Sequence, residues 1–311
     1  MKLNKPKFWD YKKPNFIAYI LFPLTFFVLV RNFFAKKFPK EKTDKIKTVC
    51  VGNIYVGGTG KTPLSIKINN LIKKQGIKSI VVKKFYSDQT DEQNLIKNYT
   101  NLICKKKRLD ALKNAIDQNF EFAIFDDGLQ EKAINYNLKI VCFNNSQWKG
   151  NGFLIPAGPL REKIETLKNF DLIFINGNPK KNHNIFNEIK QLNNNINIFE
   201  TFYQPSNLKE FDNNVNYVVF SGIGNSENFY DTMIENKFKI IKKFNFPDHY
   251  NYTDDDLIKI LNYAKQNNAK IITTEKDYLR LSPKFSKDIK CLKLDLVILE
   301  EKKLINILIK Q

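Results

Sequence analysis

The residues best suited to chemistry cluster in Gly57-Gly-Thr-Gly-Lys-Thr62. The apolar, β-branched run Thr48-Val-Cys-Val51 precedes them. Pro63, Leu64, Ile68, Leu71 and Ile72 follow, the apolar ones at helical spacing until Gly76 stops the helix. A strand, a glycine-rich loop and a helix in that order form a cradle for an anion. Glycines let successive backbone N–H groups turn inward, and the helix start adds unpaired N–H groups and the positive end of its dipole. In such a phosphate-binding loop, Gly57, Gly58, Thr59, Gly60, Lys61 and Thr62 hold the nucleotide. Lys61 reaches the β- and γ-phosphates, and the Thr62 hydroxyl ligates Mg²⁺. Pro63 is tolerated in a first helical turn. The usual G-x-x-x-x-G-K-[ST] spacing would put its first glycine at Tyr55, so this loop is a variant.

A second signal lies at Asp126-Asp127-Gly128, at the end of the apolar run Phe120–Phe125. Carboxylates at the C-terminal end of a strand near a phosphate loop are the arrangement that holds Mg²⁺ in P-loop proteins. Adjacent aspartates point in different directions, so one can serve the metal and the other a neighbour. Alone, Asp-Asp-Gly also suits a plain turn; the loop upstream favours the metal.

These groups need a scaffold of strands. Ser79–Val82, Leu138–Phe143 and Asp171–Ile175 read as buried strands, and Leu109–Gln118 as a helix. Lys83–Lys107 is polar and reads as a long excursion. Asn151–Glu162, rich in proline and glycine, reads as a rigid loop, with Arg161 and Glu162 opening a helix. The alternation predicts an α/β fold of the P-loop NTPase-like kind, a mostly parallel sheet with helices on both faces. Residues 178–197 are rich in Asn and Lys, and Ile196–Gln204 reads as an extended link to a smaller C-terminal α/β unit. That unit holds strands at Val215–Phe220, Lys239–Phe244 and Lys270–Thr274, with Thr253 capping a helix. The expected organisation is a membrane-associated N-terminal helix over residues 1–40, a P-loop unit over 41–200 and a C-terminal unit over 201–311. His249 sits in the loop Phe246–Tyr250 beside Asp248, where a hydrogen-bonded loop residue and an acid–base group are both open readings.

The chain has 311 residues, 42% of them apolar, and a formal charge of +19. The excess is lysine. It fits either dispersed solvated lysines or attraction to an anionic partner such as an acidic membrane surface. No base-recognition module is present, which argues against nucleic acid. The four cysteines form no C-x-x-C pair and the chain has two histidines, so neither a zinc site nor a disulfide framework is expected. Near the N-terminus an uncharged, aromatic run from Asn15 to Val30 lies between lysines and is interrupted by Pro23. It is somewhat short of the ~20 residues a spanning helix needs. A short anchor, a helix lying in one leaflet and a buried core helix all fit; membrane association is favoured.

Taken together, several segments resemble the tetraacyldisaccharide 4′-kinases of lipid A biosynthesis. They are Val51-Gly-Asn53 with Gly57–Pro63, Asp91-Glu92, Asp126-Asp-Gly-Leu-Gln130, Asn151-Gly-Phe-Leu-Ile-Pro-Ala-Gly-Pro-Leu-Arg-Glu162, Gly222-Ile-Gly-Asn225, Phe246-Pro-Asp-His249 and Thr273-Thr-Glu-Lys-Asp277, in the family's order over nearly the whole chain. Lys83-Lys84-Phe85-Tyr86 stands where that family has Ser-Arg-Gly-Tyr, and Glu131 where it has histidine. The resemblance implies transfer of the ATP γ-phosphate to the 4′-hydroxyl of a tetraacylated glucosamine disaccharide 1-phosphate. It also implies work at the cytoplasmic face of a bacterial inner membrane, with no obligate protein partner. It makes Asp91 the catalytic base and His249 its partner from the second unit. Asp126 and Asp127 become the metal and nucleotide carboxylates, and Arg161 and Glu162 active-site residues. A peripheral membrane P-loop NTPase and a non-catalytic membrane-binding homologue are the rival readings.

Overall fold

The structure, a computed structural model, describes residues 5–35, 41–87, 90–131, 133–224, 226–248 and 250–310. Its N-terminal part is helix α1 (Phe16–Leu21), a 3₁₀ turn at Phe22–Leu24 and helix α2 (Thr25–Ala35). Asn15 caps α1 by accepting from the Ala18 N–H, and Pro23 sits at the turn, where its ring fits a helical start.

The first unit is built on an eight-stranded sheet. In chain order its first seven strands are β1 (Lys47–Gly52), β2 (Ser79–Lys84), β3 (Leu102–Lys105), β4 (Phe122–Asp126), β5 (Leu138–Asn144), β6 (Leu172–Asn176) and β7 (Asn197–Pro205), most of them rich in β-branched or aromatic residues. Helices α3 (Lys61–Lys74), α4 (Thr90–Tyr99), α5 (Arg108–Asp117) and α6 (His183–Leu192) connect them. The second unit follows with β8 (Asn216–Ser221), α7 (Ser226–Glu235), β9 (Lys239–Asn245), α8 (Asp254–Gln266), β10 (Ala269–Thr274), the short helices α9 (Glu275–Tyr278) and α10 (Pro283–Ser286), and β11 (Ile289–Leu292). Its four strands pair in the order β11-β10-β8-β9, all parallel. The chain then returns to the first sheet through β12 (Leu294–Ile298), antiparallel to β7, and ends in α11 (Glu301–Lys310).

Successive side chains of a strand point to opposite faces, so a parallel sheet covered on both sides buries both sets. Cys50, Ala123, Phe125, Val141 and Phe143 pack on one face with Ala111 and Leu112 of α5. Val49, Val51, Ile124, Ile140 and Phe174 pack on the other with Leu64, Ile68 and Leu71 of α3 and Leu304 and Leu308 of α11. The second unit repeats the plan, with Phe229, Tyr230 and Met233 of α7 on one face and Leu257, Ile260 and Ala264 of α8 on the other.

The first sheet runs β12-β7-β6-β5-β1-β4-β2-β3. The chain leaves β1 toward β2 on one side and leaves β4 toward β5 on the other. The crevice beyond the carboxyl ends of β1 and β4 is therefore the topological switch point, the usual ligand position in an open α/β sheet.

Four sequence expectations need correction. Lys83–Lys107 is no structureless excursion: it holds α4 and the edge strand β3. Ile196–Gln204 is extended, yet it is a sheet strand, pairing with β6 and β12, rather than a free link. Residues 294–310, read with the C-terminal unit, complete the first sheet. Arg161 and Glu162 precede only a 3₁₀ turn, Ile164–Asn169.

Candidate active site

β1 delivers the chain to the phosphate loop. Gly60 holds the N-cap of α3 with φ +86, a left-handed conformation that costs glycine nothing. A side chain there would also meet Asn176 Nδ2 at 3.1 Å and the Tyr203 hydroxyl at 3.2 Å. Inside the loop, Asn53 Nδ2 donates to the Gly57 carbonyl at 3.2 Å and to Thr59 Oγ1 at 3.1 Å, which fixes its curvature. Gln130, just past the paired aspartates, donates to the Asn53 carbonyl at 3.0 Å. Tyr55, at the position where the usual pattern has glycine, is buried against Leu154 and Leu160 with Val28 and Leu29 of α2.

Asp126 and Asp127 diverge as the sequence suggests. Asp126 is fully buried behind the loop: its Oδ2 accepts from Thr62 Oγ1 at 3.0 Å and its Oδ1 from Ser65 Oγ at 3.1 Å. Asp127 takes φ +55, a conformation that aspartate tolerates better than most residues. Its Oδ1 lies 3.8 Å from Lys61 Nζ and 3.8 Å from Arg161, and no hydrogen bond reaches that buried atom. Burial alone would raise the Asp127 carboxyl; Lys61, Arg161, Lys83 and Arg108 overcome this and hold it below the usual carboxylate range. Arg161 in turn donates to Gln130 Oε1 at 3.0 Å, and its backbone N–H bonds the Ile54 carbonyl at 2.7 Å. Glu162 follows it, half-buried.

Thr62, Asp126 and Asp127 fit Mg²⁺. The donors are hard oxygens, and a buried Asp127 oxygen without a hydrogen-bond partner faces the Lys61 side of the loop. Among the described residues no cluster of three or more acidic, His or Cys side chains forms a full protein cage. Mg²⁺ is commonly bound through one or two carboxylates, with phosphate, hydroxyl and water oxygens in its remaining positions.

The second unit closes on this loop. A cavity of about 890 Å³ is lined by the phosphate loop, Asp127 and Arg161 on one side and by Ile223, Gly224, Asp248 and Lys276 on the other. The approach is tight at Gly224, where a Cβ would stand 2.7 Å from the Gly58 nitrogen. Helix α4 supplies the opposite wall. Asp91, 4% exposed, is paired with Arg280 and lies 3.5 Å from Lys276 Nζ. Lys276 also reaches Glu92 Oε1 at 3.1 Å and Asp248 Oδ1 at 3.4 Å. Burial works against the Lys276 charge, but Glu92, Asp248 and Asp91 together raise it above the ordinary lysine value. Arg280 is held by Asp277 at 3.0 Å, and Asp277 by the Gly222 N–H and the Tyr252 hydroxyl.

Gly57–Thr62, Asp127 and Arg161 line this cavity, Asp126 stands behind the loop, Asp91 adjoins it through Lys276, Glu162 is placed only as the neighbour of Arg161, and His249 lies outside the described residues. The structure adds groups that the sequence reading missed. Lys83, Lys276 and Arg280 all pair with carboxylates of the site. Lys276 and Asp277 stand in a segment singled out by resemblance, Lys83 stands where the sequence departs from the family's Ser-Arg-Gly-Tyr, and Arg280 carries no motif.

A mostly parallel sheet with a phosphate loop at its switch point and aspartates on the neighbouring strand end defines a P-loop NTPase-like protein. Comparison with known proteins narrows this. The model of the tetraacyldisaccharide-1-P 4′-kinase family matches residues 18–311. A protein of Pelagibacter ubique named tetraacyldisaccharide 4′-kinase is 50% identical over 311 residues, covering all of this chain and 98% of that one. A Rickettsia bellii protein of the same name is 36% identical, covering 90% of each chain. Among solved structures, the "apo" form of LpxK from Aquifex aeolicus in complex with ATP superposes with a TM-score of 0.69 at 20% identity, covering 94% of this chain and 98% of that one, a likeness of fold. The chain belongs to the tetraacyldisaccharide-1-P 4′-kinase family.

Proposed function

We propose that this chain transfers the γ-phosphoryl group of ATP to the 4′-hydroxyl of a tetraacylated glucosamine disaccharide 1-phosphate, a step of lipid A biosynthesis. The observation that carries this reading is the full-length match to relatives with that name. The phosphate loop facing a second unit across one cavity supplies a place for the chemistry.

Each residue has a task. Backbone N–H groups of Gly57–Thr62 hold the phosphates, and Lys61 neutralises the β- and γ-phosphates. Thr62, Asp126 and Asp127 hold Mg²⁺, which when bound spreads the charge of the transferring group. Arg161 stabilises that charge from the other side, with Glu162 beside it. Asp91 receives the proton of the 4′-hydroxyl, and His249 orients it from the second unit. The three-part organisation follows the same logic: an N-terminal helix for the membrane, a P-loop unit for ATP, and a C-terminal unit that closes over both substrates. ATP consumption strictly dependent on added disaccharide lipid tests the reading. Equal hydrolysis without acceptor would instead identify an NTPase.

The acceptor is a lipid, so the enzyme works at a membrane surface, and we place it on the cytoplasmic face of the inner membrane, where ATP is available. Neither nucleic acid nor an obligate protein partner enters this account. Phe16–Phe34 is long and apolar enough by composition to cross a membrane, and little of it is buried. Phe26 and Phe27 are 63% and 69% exposed. Exposed rings of this size suit lipid rather than water. Changing both Phe26 and Phe27 to Ser removes about 3–6 kcal/mol of apolar transfer energy if both rings are buried in lipid. Co-sedimentation with anionic vesicles should fall more than about tenfold, while nucleotide affinity stays unchanged. Undiminished co-sedimentation would rule this face out as the membrane contact.

A further inference from the structure

The buried lysine of β2 has a position that the reaction so far leaves unexplained. Lys83 lies in register with Asp126 of β4 and is 2% exposed. Its Nζ donates to Asp126 Oδ2 at 2.6 Å and to Glu92 Oε2 at 2.7 Å. The same Asp126 oxygen accepts from Thr62 Oγ1. The ammonium therefore stands beside the Thr62–Asp126 pair to which the preceding reading assigns Mg²⁺, and the inference rests on that reading.

A buried amine with carboxylate oxygens of Asp126 and Glu92 at 2.6 and 2.7 Å stands between two anions, the setting of an ammonium. Glu92 also pairs with Lys276 of the second unit at 3.1 Å. One fixed cation thus faces the carboxylates on which a divalent ion would otherwise act. A permanent positive charge in a site of low dielectric lowers the gain from adding a second one, and it offsets the repulsion between Asp126 and incoming phosphate.

We propose that Lys83 is a resident cation of the phosphate site, a positioning residue that supplies part of the charge compensation of Mg²⁺ and so makes nucleotide binding weakly dependent on the metal. It holds Asp126 and Glu92 in place before the metal arrives, and the metal must share Asp126 with it.

The test is the ratio of AMP-PNP dissociation constants in EDTA and in saturating Mg²⁺, measured by calorimetry on the full chain. For the unaltered protein the ratio should stay within about tenfold, and a ratio of about 10² or more would overturn the proposal without any variant. Lys83→Met, which removes the ammonium shared by Asp126 and Glu92, should raise the ratio about tenfold or more, the equivalent of one lost charge-assisted contact. An unchanged ratio would overturn the proposal while leaving the metal assignment standing. If Lys83→Met does not fold, Lys83→Met combined with Glu92→Gln restores the net charge of the cluster. Its ratio should return to the unaltered value, and a raised ratio there would overturn the charge argument. Adding Thr62→Val to Lys83→Met should abolish the gained dependence. A gain that persists would mean that the metal binds elsewhere, which overturns the metal assignment and the role of Lys83 together.

Discussion

Lys61→Ala is expected to lower turnover by about 10²-fold or more, since one preorganised electrostatic stabiliser of a transferring phosphoryl group is worth several kcal/mol. Lys61 opens α3 and its ammonium lies 3.8 Å from Asp127 Oδ1, inside the cavity. The variant removes a side chain that lines the cavity, and it loses the charge that meets the β- and γ-phosphates. A loss of 10²-fold corresponds to about 2.7 kcal/mol of transition-state stabilisation. Initial rates of phosphate transfer measure it, and near-normal turnover would remove the phosphate loop from the mechanism.

The second large effect concerns Asp91 and His249. A loose phosphoryl-transfer transition state needs a base only late, so an oriented carboxylate is basic enough. The Asp91 side chain is buried on α4 and is held by Arg280 and Lys276, both contributed by the second unit. Its geometry therefore depends on closure of one unit onto the other, a step that commonly assembles a catalytic site. Asp91→Ala and His249→Ala should each lower turnover by about 10²-fold or more, with little change in Mg-ATP affinity. Groups acting as one unit are strongly non-additive, so the double variant should be hardly slower than the poorer single one. Multiplying losses would mean independent roles. A silent His249→Ala would return this histidine to a plain loop residue.

Much of this arrangement is legible in the sequence because its signals are local. Val49–Val51 before Gly57–Lys61, and Phe122–Phe125 before Asp126, are buried parallel strands whose ends carry the functional groups, and strand, loop and helix lie next to one another in the chain. Thr253 caps α8 with a full capping box, as its three following aspartates suggest. What stayed hidden depends on distant partners. Helix α4 buries Asp91, Gln93 and Ile96, a mostly polar face turned to the site, so it shows no clear apolar period and reads as a loop. Lys83 is the last residue but one of β2 and by residue type belongs in water. Its burial is decided by Asp126 and Glu92, one of them 43 positions away. Strand β12 returns to the first sheet only because β7 offers it an edge, which no local pattern announces.

The defining reaction is one transfer, from ATP to a sugar hydroxyl of a lipid. The most direct measurement incubates the purified chain with ATP, Mg²⁺ and the tetraacylated disaccharide 1-phosphate in mixed micelles and analyses the lipid by mass spectrometry. The expected product is heavier by one phosphoryl group, carried on the 4′ oxygen, and forms in step with ADP. Release of ADP and inorganic phosphate with the lipid unchanged would contradict it.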